Sequence, residues 1–102
     1  MPKSANADIG AWRRRIDELD AELIRLLNER AQCAIEIGRI KRERNLPVYD
    51  PKREEQIILM MLEENPGPLD VEGVRRLFER IIDESRRIER LATAPSDLDE
   101  KP

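Results

Sequence analysis

The sequence predicts an all-α protein of three helices, one long, one short and one medium, on three observations. Apolar residues along the N-terminal half recur at alternating spacings of four and three, the period of a helix packed along one stripe. Within the patterned region prolines fall in only two clusters, Pro47 to Pro51 and Pro66 to Pro68, which leaves three uninterrupted stretches. An aspartate precedes each stretch, at Asp8, Asp50 and Asp70, where its carboxylate can accept from the unbonded N–H groups of a first helical turn.

The first helix is expected over about Ile9 to Arg44. Positions 12, 16, 19, 23, 26, 30, 33, 37 and 40 form its seam, and all are apolar except Arg30. Pro47 prevents continuation and biases Leu46 toward an extended shape. Asp50-Pro51 then reads as an N-cap followed by proline in the first helical position, opening a second helix over about Pro51 to Glu64 with Ile57, Ile58, Met61 and Leu62 inward. Asn65-Pro66-Gly67-Pro68 stops it. The third helix, about Val71 to Ala92, carries a seam of Val74, Phe78, Ile81, Ser85, Ile88 and Ala92. Residues 1–8 and 93–102 are polar and have the composition of disordered tails, leaving residues 9–92 as the single domain.

A helix from Ile9 to Arg44 is about 54 Å long, against roughly 30 Å for the diameter of a domain this size. Its seam runs nearly end to end, so a lone copy would leave apolar surface in water. An intertwined homodimer, in which a second copy covers that seam, is the expected assembly.

Composition excludes much familiar chemistry. The 102 residues include no histidine and one cysteine, so an internal disulfide, a Cys/His zinc site and a Ser-His-Asp triad cannot form. Cys33 falls on the seam and reads as a small buried hydrophobe, and Met60 and Met61 read as core filler. The net charge is −3, with 19 basic and 22 acidic residues interspersed, which argues against nucleic-acid binding. No membrane span and no signal peptide is legible, and the cytoplasm is the expected location.

The informative residues are charges on stripes otherwise reserved for the core, because an ion buried without partners costs several kcal/mol or more. Arg30 interrupts the first seam, and Lys41 lies on the side of Ala34 and Ile37. Ala31, Ala34 and Gly38 beside them either admit another helix closely or leave a groove. Glu54 shares the inward face of Ile57 and Ile58, with Arg53 beside it. Ser85 and Glu89 lie near the buried side of the third helix, and Arg13 flanks Ile16. For any one of these a snorkelling side chain is the simpler reading, and internal Arg30–Glu54 or Lys41–Glu89 bridges are the serious structural alternative. The inward cations Arg13, Arg30, Lys41 and Arg53 still outnumber the acids Glu54 and Glu89, which points to an anionic ligand such as a small dicarboxylate.

Five stretches then carry a resemblance: Ile16-Asp17-Glu18-Leu19-Asp20, Leu26-Leu27-Asn28-Glu29-Arg30, Ile37-Gly38-Arg39-Ile40-Lys41, Val48-Tyr49-Asp50-Pro51-Lys52-Arg53-Glu54, and Leu77 to Ser85. In order and spacing the chain from Trp12 to about Ala92 resembles the all-helical class of chorismate mutase. The resemblance implies a dimer with two equivalent sites and no cofactor, converting chorismate to prephenate. It implies that Arg30 and Arg13, the latter crossing from the second copy, bind the substrate carboxylates, and that Lys41 contacts a carboxylate and the ether oxygen. Ser85 would add a hydrogen bond to a carboxylate. Asp50, Arg53 and Glu54 would line the site at the ring hydroxyl, with Glu54 the acceptor, and Ile37, Ile57 and Ile82 would supply apolar walls.

Glu89 stands where many relatives carry a glutamine that donates to the ether oxygen. An ionised carboxylate only accepts, so donation requires a proton on Glu89, and activity is expected to rise as pH falls. Isochorismate-pyruvate lyase and aminodeoxychorismate mutase share the scaffold, although Asp50 and Glu54 favour the mutase. A non-catalytic helical dimerisation or regulatory module is the rival from another class. Docking onto another shikimate-pathway enzyme is a further partner to weigh.

Overall fold

The computed structural model describes residues 8–93, which form three helices in the order α1 (Ile9–Arg44), α2 (Pro51–Glu64) and α3 (Val71–Thr93). The expected tails lie outside the described residues, except Asp8 at the start of α1 and Thr93, which belongs to α3.

All three aspartates cap as the sequence indicates. Asp8 Oδ1 accepts from the Ala11 N–H at 3.1 Å, Asp50 Oδ1 from Arg53 N–H at 3.1 Å, and Asp70 Oδ1 from Gly73 N–H at 2.7 Å. Each bond satisfies a donor that the first turn of a helix leaves unpaired. The end of α1 uses a device the proline signal did not reveal. Asn45 adopts a left-handed φ of 56°, its N–H bonds the Arg42 carbonyl at 3.3 Å, and the Leu46 N–H bonds the Lys41 carbonyl at 2.8 Å. This paired pattern is a Schellman cap, and it fixes where the chain leaves the last turn. Between α2 and α3, Asn65 bonds the Gly67 N–H through Oδ1 at 3.1 Å and the Leu69 carbonyl through Nδ2 at 2.7 Å, and Gly67 takes a φ of 78° that suits a residue without Cβ.

The chain divides into two compact units after Gln32. In the first, α1 is an exposed amphipathic helix. Arg15 pairs with Glu18 at 3.0 Å, and Arg25 with Glu22 at 2.8 Å and with Glu29, ordinary solvated pairs worth a few tenths of a kcal/mol each. Its apolar seam is uncovered within the single chain: Trp12, Ile16, Leu19, Leu23 and Leu26 are all exposed.

The second unit holds the core, made of Ala34, Ile58, Val74 and Ile82. Here the small residues of α1 admit a helix. A Cβ placed on Gly38 would lie 2.8 Å from the Glu89 carbonyl oxygen and 2.8 Å from the Ala92 Cβ, so the α3 backbone rests directly on Gly38. Cys33, expected inside, is exposed, as are Met60, Ile37 and Ile40. The seam pattern records which face of α1 is apolar, and in this unit α3 rests on Gly38.

Candidate active site

The close approach at Gly38 sets Glu89 opposite Lys41, one turn further along α1. Lys41 Nζ donates to Glu89 Oε1 at 2.7 Å and to the Val48 carbonyl at 2.9 Å. The second acceptor is available because the Asn45 cap turns the chain back across the end of α1. Both side chains are largely withdrawn from water, at 16% and 15% exposure. An ammonium has three N–H groups, and among the described residues two are used, which leaves one for a further acceptor. The Lys41–Glu89 bridge foreseen as a structural alternative therefore forms, without exhausting the donor capacity of Lys41.

One turn before Glu89, a second bridge ties α3 to α2. Arg86 donates through Nε to Glu54 Oε2 at 2.9 Å and through Nη2 to Oε1 at 2.7 Å. This is the two-bond fork geometry of guanidinium on carboxylate. Arg86 also lies 3.3 Å from Asp83 and places its guanidinium 5.3 Å from the Tyr49 ring centroid, within cation–π range. Its pKa is raised, first by the hydrogen bonds it donates to Glu54, against an opposing effect of burial. Arg86 is not among the residues the sequence pattern singled out. The signal that could have found it is its spacing: it follows the buried Ile82 by four residues and precedes Glu89 by three, so it shares their stripe.

The other expected residues are distributed as follows. Ser85 is half-buried and its Oγ donates to the Ile81 carbonyl at 3.0 Å. Asp50 is engaged as the α2 cap. Arg53 is exposed and bonds Gln56 Oε1 at 2.9 Å, and Arg13 is exposed. Arg30 is half-buried in the N-terminal unit. Ile82 is buried, Ile57 half-buried and Ile37 exposed. The inward charge count changes accordingly. Lys41 with Glu89, and Arg86 with Glu54, cancel in pairs. Of the remaining expected cations, Arg13 and Arg53 are exposed and Arg30 is half-buried.

A cleft of about 370 Å³ opens between the start of α2 and the middle of α3, lined by Tyr49, Pro51, Glu54, Glu55, Ile58, Glu79, Ile82 and Asp83. It shares Glu54 and Ile82 with the expected site. Its acidic rim suits the donor end of a ligand and repels carboxylates, which would have to face elsewhere. Among the described residues no group of three or more acidic or cysteine side chains could hold a metal ion. No helix among them is long and apolar enough to cross a membrane.

Known proteins resemble this chain in sequence and in fold. A family model described as chorismate mutase type II matches residues 12–90. The bifunctional chorismate mutase/prephenate dehydratase of Neisseria gonorrhoeae is 44% identical over 81 residues, 79% of this chain and 22% of that protein. The protein of the same description from Pseudomonas aeruginosa is 44% identical over 77 residues, 71% of this chain and 21% of its own length. This chain thus spans about a fifth of the length of these curated relatives. The solved structure of chorismate mutase (form II) from Thermus thermophilus superposes with a TM-score of 0.78 at 44% identity, covering 80% of this chain and 93% of that one.

Proposed function

We propose, since the chain belongs to the chorismate mutase type II family, that it catalyses the rearrangement of chorismate to prephenate as a cytoplasmic homodimer, serving the synthesis of phenylalanine and tyrosine. The reaction is a unimolecular [3,3] shift in which a carbon–oxygen bond breaks while a carbon–carbon bond forms. It needs no nucleophile and no proton relay, which suits a chain without histidine. The site has to hold a dianion in its folded, reactive conformer and stabilise the negative charge that grows on the ether oxygen.

Lys41 carries this reading. Its ammonium is withdrawn from water and fixed by the Val48 carbonyl and Glu89, with one N–H remaining. A donor prepositioned in this way reorganises little as charge develops, and so acts more strongly on the transition state than on the substrate. In this scheme Arg30, with Arg13 from a second copy, binds the carboxylates, and Ser85 adds a hydrogen bond to one of them. Glu89, when protonated, shares the ether oxygen with Lys41. Glu54 accepts from the ring hydroxyl, with Asp50 and Arg53 nearby in sequence, and Ile37, Ile57 and Ile82 form apolar walls. The dimer is supported by the uncovered seam from Trp12 to Leu26, whose burial by a second copy would be favourable at about 25 cal/mol per Å².

A second reading draws on the same two bridges. If Lys41–Glu89 and Arg86–Glu54 serve only to hold the helices, the chain is a non-catalytic dimerisation module. Incubating the purified protein separately with chorismate and with isochorismate distinguishes the readings. Prephenate from chorismate supports the mutase, pyruvate and salicylate from isochorismate would replace it with the lyase, and no turnover of either would leave the module. Docking to another shikimate-pathway enzyme would appear as a rise in mutase rate when that enzyme is added.

A further inference from the structure

The Arg86–Glu54 fork has a use beyond tying α3 to α2. We infer that Arg86 is a positioning residue for the rearrangement, holding the Glu54 carboxylate in the one orientation from which it can accept the substrate's ring hydroxyl; this rests on the mutase reading above. Three features of the structure support it. First, the fork occupies one lone pair on each oxygen, at 2.9 and 2.7 Å. A carboxylate offers about four acceptor positions, so capacity remains while rotation about the carboxyl bond is lost. Second, Glu54 is one of the residues that line the cleft between α2 and α3, a space large enough to admit a ring substituent. Third, Arg86 is itself held, by Asp83 at 3.3 Å and by the Tyr49 ring, and its side chain is 23% exposed. A guanidinium anchored on three sides is a fixed reference for its partner, unlike the solvated pairs on α1.

The charge balance gives Arg86 a second effect on the same group. Glu54 stands near Glu55, Glu79 and Asp83 around one cleft. An unneutralised carboxylate there would raise the cost of bringing a dianionic substrate close. The guanidinium cancels that charge without removing the acceptor oxygens. A lysine could supply the charge but not the planar two-bond grip.

The test is a double-mutant cycle on chorismate turnover with Arg86→Gln, Glu54→Gln and the pair, with Arg86→Lys measured alongside. If Arg86 acts through Glu54, R86Q lowers kcat/KM about tenfold in the wild-type background. In the E54Q background the same change moves kcat/KM less than about twofold, because the group it positions is gone. R86K falls between R86Q and wild type, keeping the charge and losing the fork. Should R86Q fail to fold by circular dichroism, R86K carries the same cycle. An R86Q or R86K loss equally large with and without Glu54, or wild-type turnover in R86Q, overturns the inference and leaves the mutase reading intact. No chorismate turnover by the wild-type protein overturns both.

Discussion

Replacing Gly38 with alanine tests whether the close contact of α1 and α3 is what builds the site. Three atoms crowd the position: the Glu89 carbonyl oxygen at 2.8 Å, the Ala92 Cβ at 2.8 Å and the Glu89 Cα at 3.0 Å from where the new Cβ would stand. Two belong to backbone, so no rotamer change relieves them, and α3 has to move by roughly 0.5–1 Å to restore ordinary van der Waals contact near 3.5–4.0 Å. Overpacking of this kind costs about 1–3 kcal/mol. Alanine favours the helix over glycine by about 1 kcal/mol, so the net loss is about 0–2 kcal/mol. At fixed protein concentration the expected fall in Tm is no more than about 10–15 °C. The effect on activity is proportionately larger. Glu89 sits at the point of contact, and its 2.7 Å bond to Lys41 cannot survive a displacement of that size unchanged. Misplacement by about 1 Å costs on the order of 100-fold in rate. Thermal melts followed by circular dichroism and steady-state assays on chorismate should show a modest loss of stability with a large loss of kcat/KM. Adding Ala92→Gly removes one of the three contacts and should recover part of the stability. A Gly38→Ala protein with a raised Tm and unchanged kcat/KM would refute the claim that α3 rests on Gly38.

Other expectations follow from the same geometry. Lys41→Ala removes the prepositioned donor and should lower kcat/KM by about 10²–10³-fold, with gel filtration verifying that the dimer persists; near-normal turnover would remove Lys41 from the chemistry. Glu89 accepts from Lys41 in the structure and must carry a proton to donate to an ether oxygen, so wild-type kcat/KM should rise as pH falls. Glu89→Gln should flatten that profile, and identical profiles would reject the role. Glu84 sits below its ordinary pKa chiefly because Arg87 donates to it. Its contribution to stability is present above the ordinary carboxylate value and is lost as pH falls through the lower folded value. Glu84→Gln should therefore make denaturation midpoints slightly less sensitive to acid.

The helices were legible because their ends carry local chemistry. Asp8, Asp50 and Asp70 each bond a donor three residues ahead, a relation that needs no knowledge of the rest of the fold. The Asn45 cap was missed because asparagine in a left-handed conformation is an uncommon stop, masked here by the stronger signal of Pro47. The candidate site was legible in part. Lys41 and Glu89 announced themselves as charges on apolar stripes, and their pairing was one of two bridges the pattern allowed. The role of Gly38 was ambiguous between a groove and a contact, since small residues permit both and only the position of α3 decides. Arg86 was lost among alternating charges, because a helix face in sequence shows its period and not its neighbours. Cys33 read as a buried hydrophobe yet is exposed, and the seam residues Trp12, Ile16, Leu19, Leu23 and Leu26, expected to lie in water in a lone copy, are exposed in the single chain. Apolar periodicity identifies a surface that seeks cover without identifying what provides it.

The central claim is that this helical scaffold holds a dicarboxylate in its reactive shape with fixed cationic groups, Lys41 foremost. The most direct measurement is calorimetric titration with a rigid bicyclic diacid that mimics the chair-like transition state, compared with a flexible dicarboxylate of equal charge. Preorganised recognition predicts binding of the rigid diacid at least about 100-fold tighter, with that advantage lost in Lys41→Ala. Equal, weak binding of both diacids, unaffected by Lys41→Ala, would contradict it.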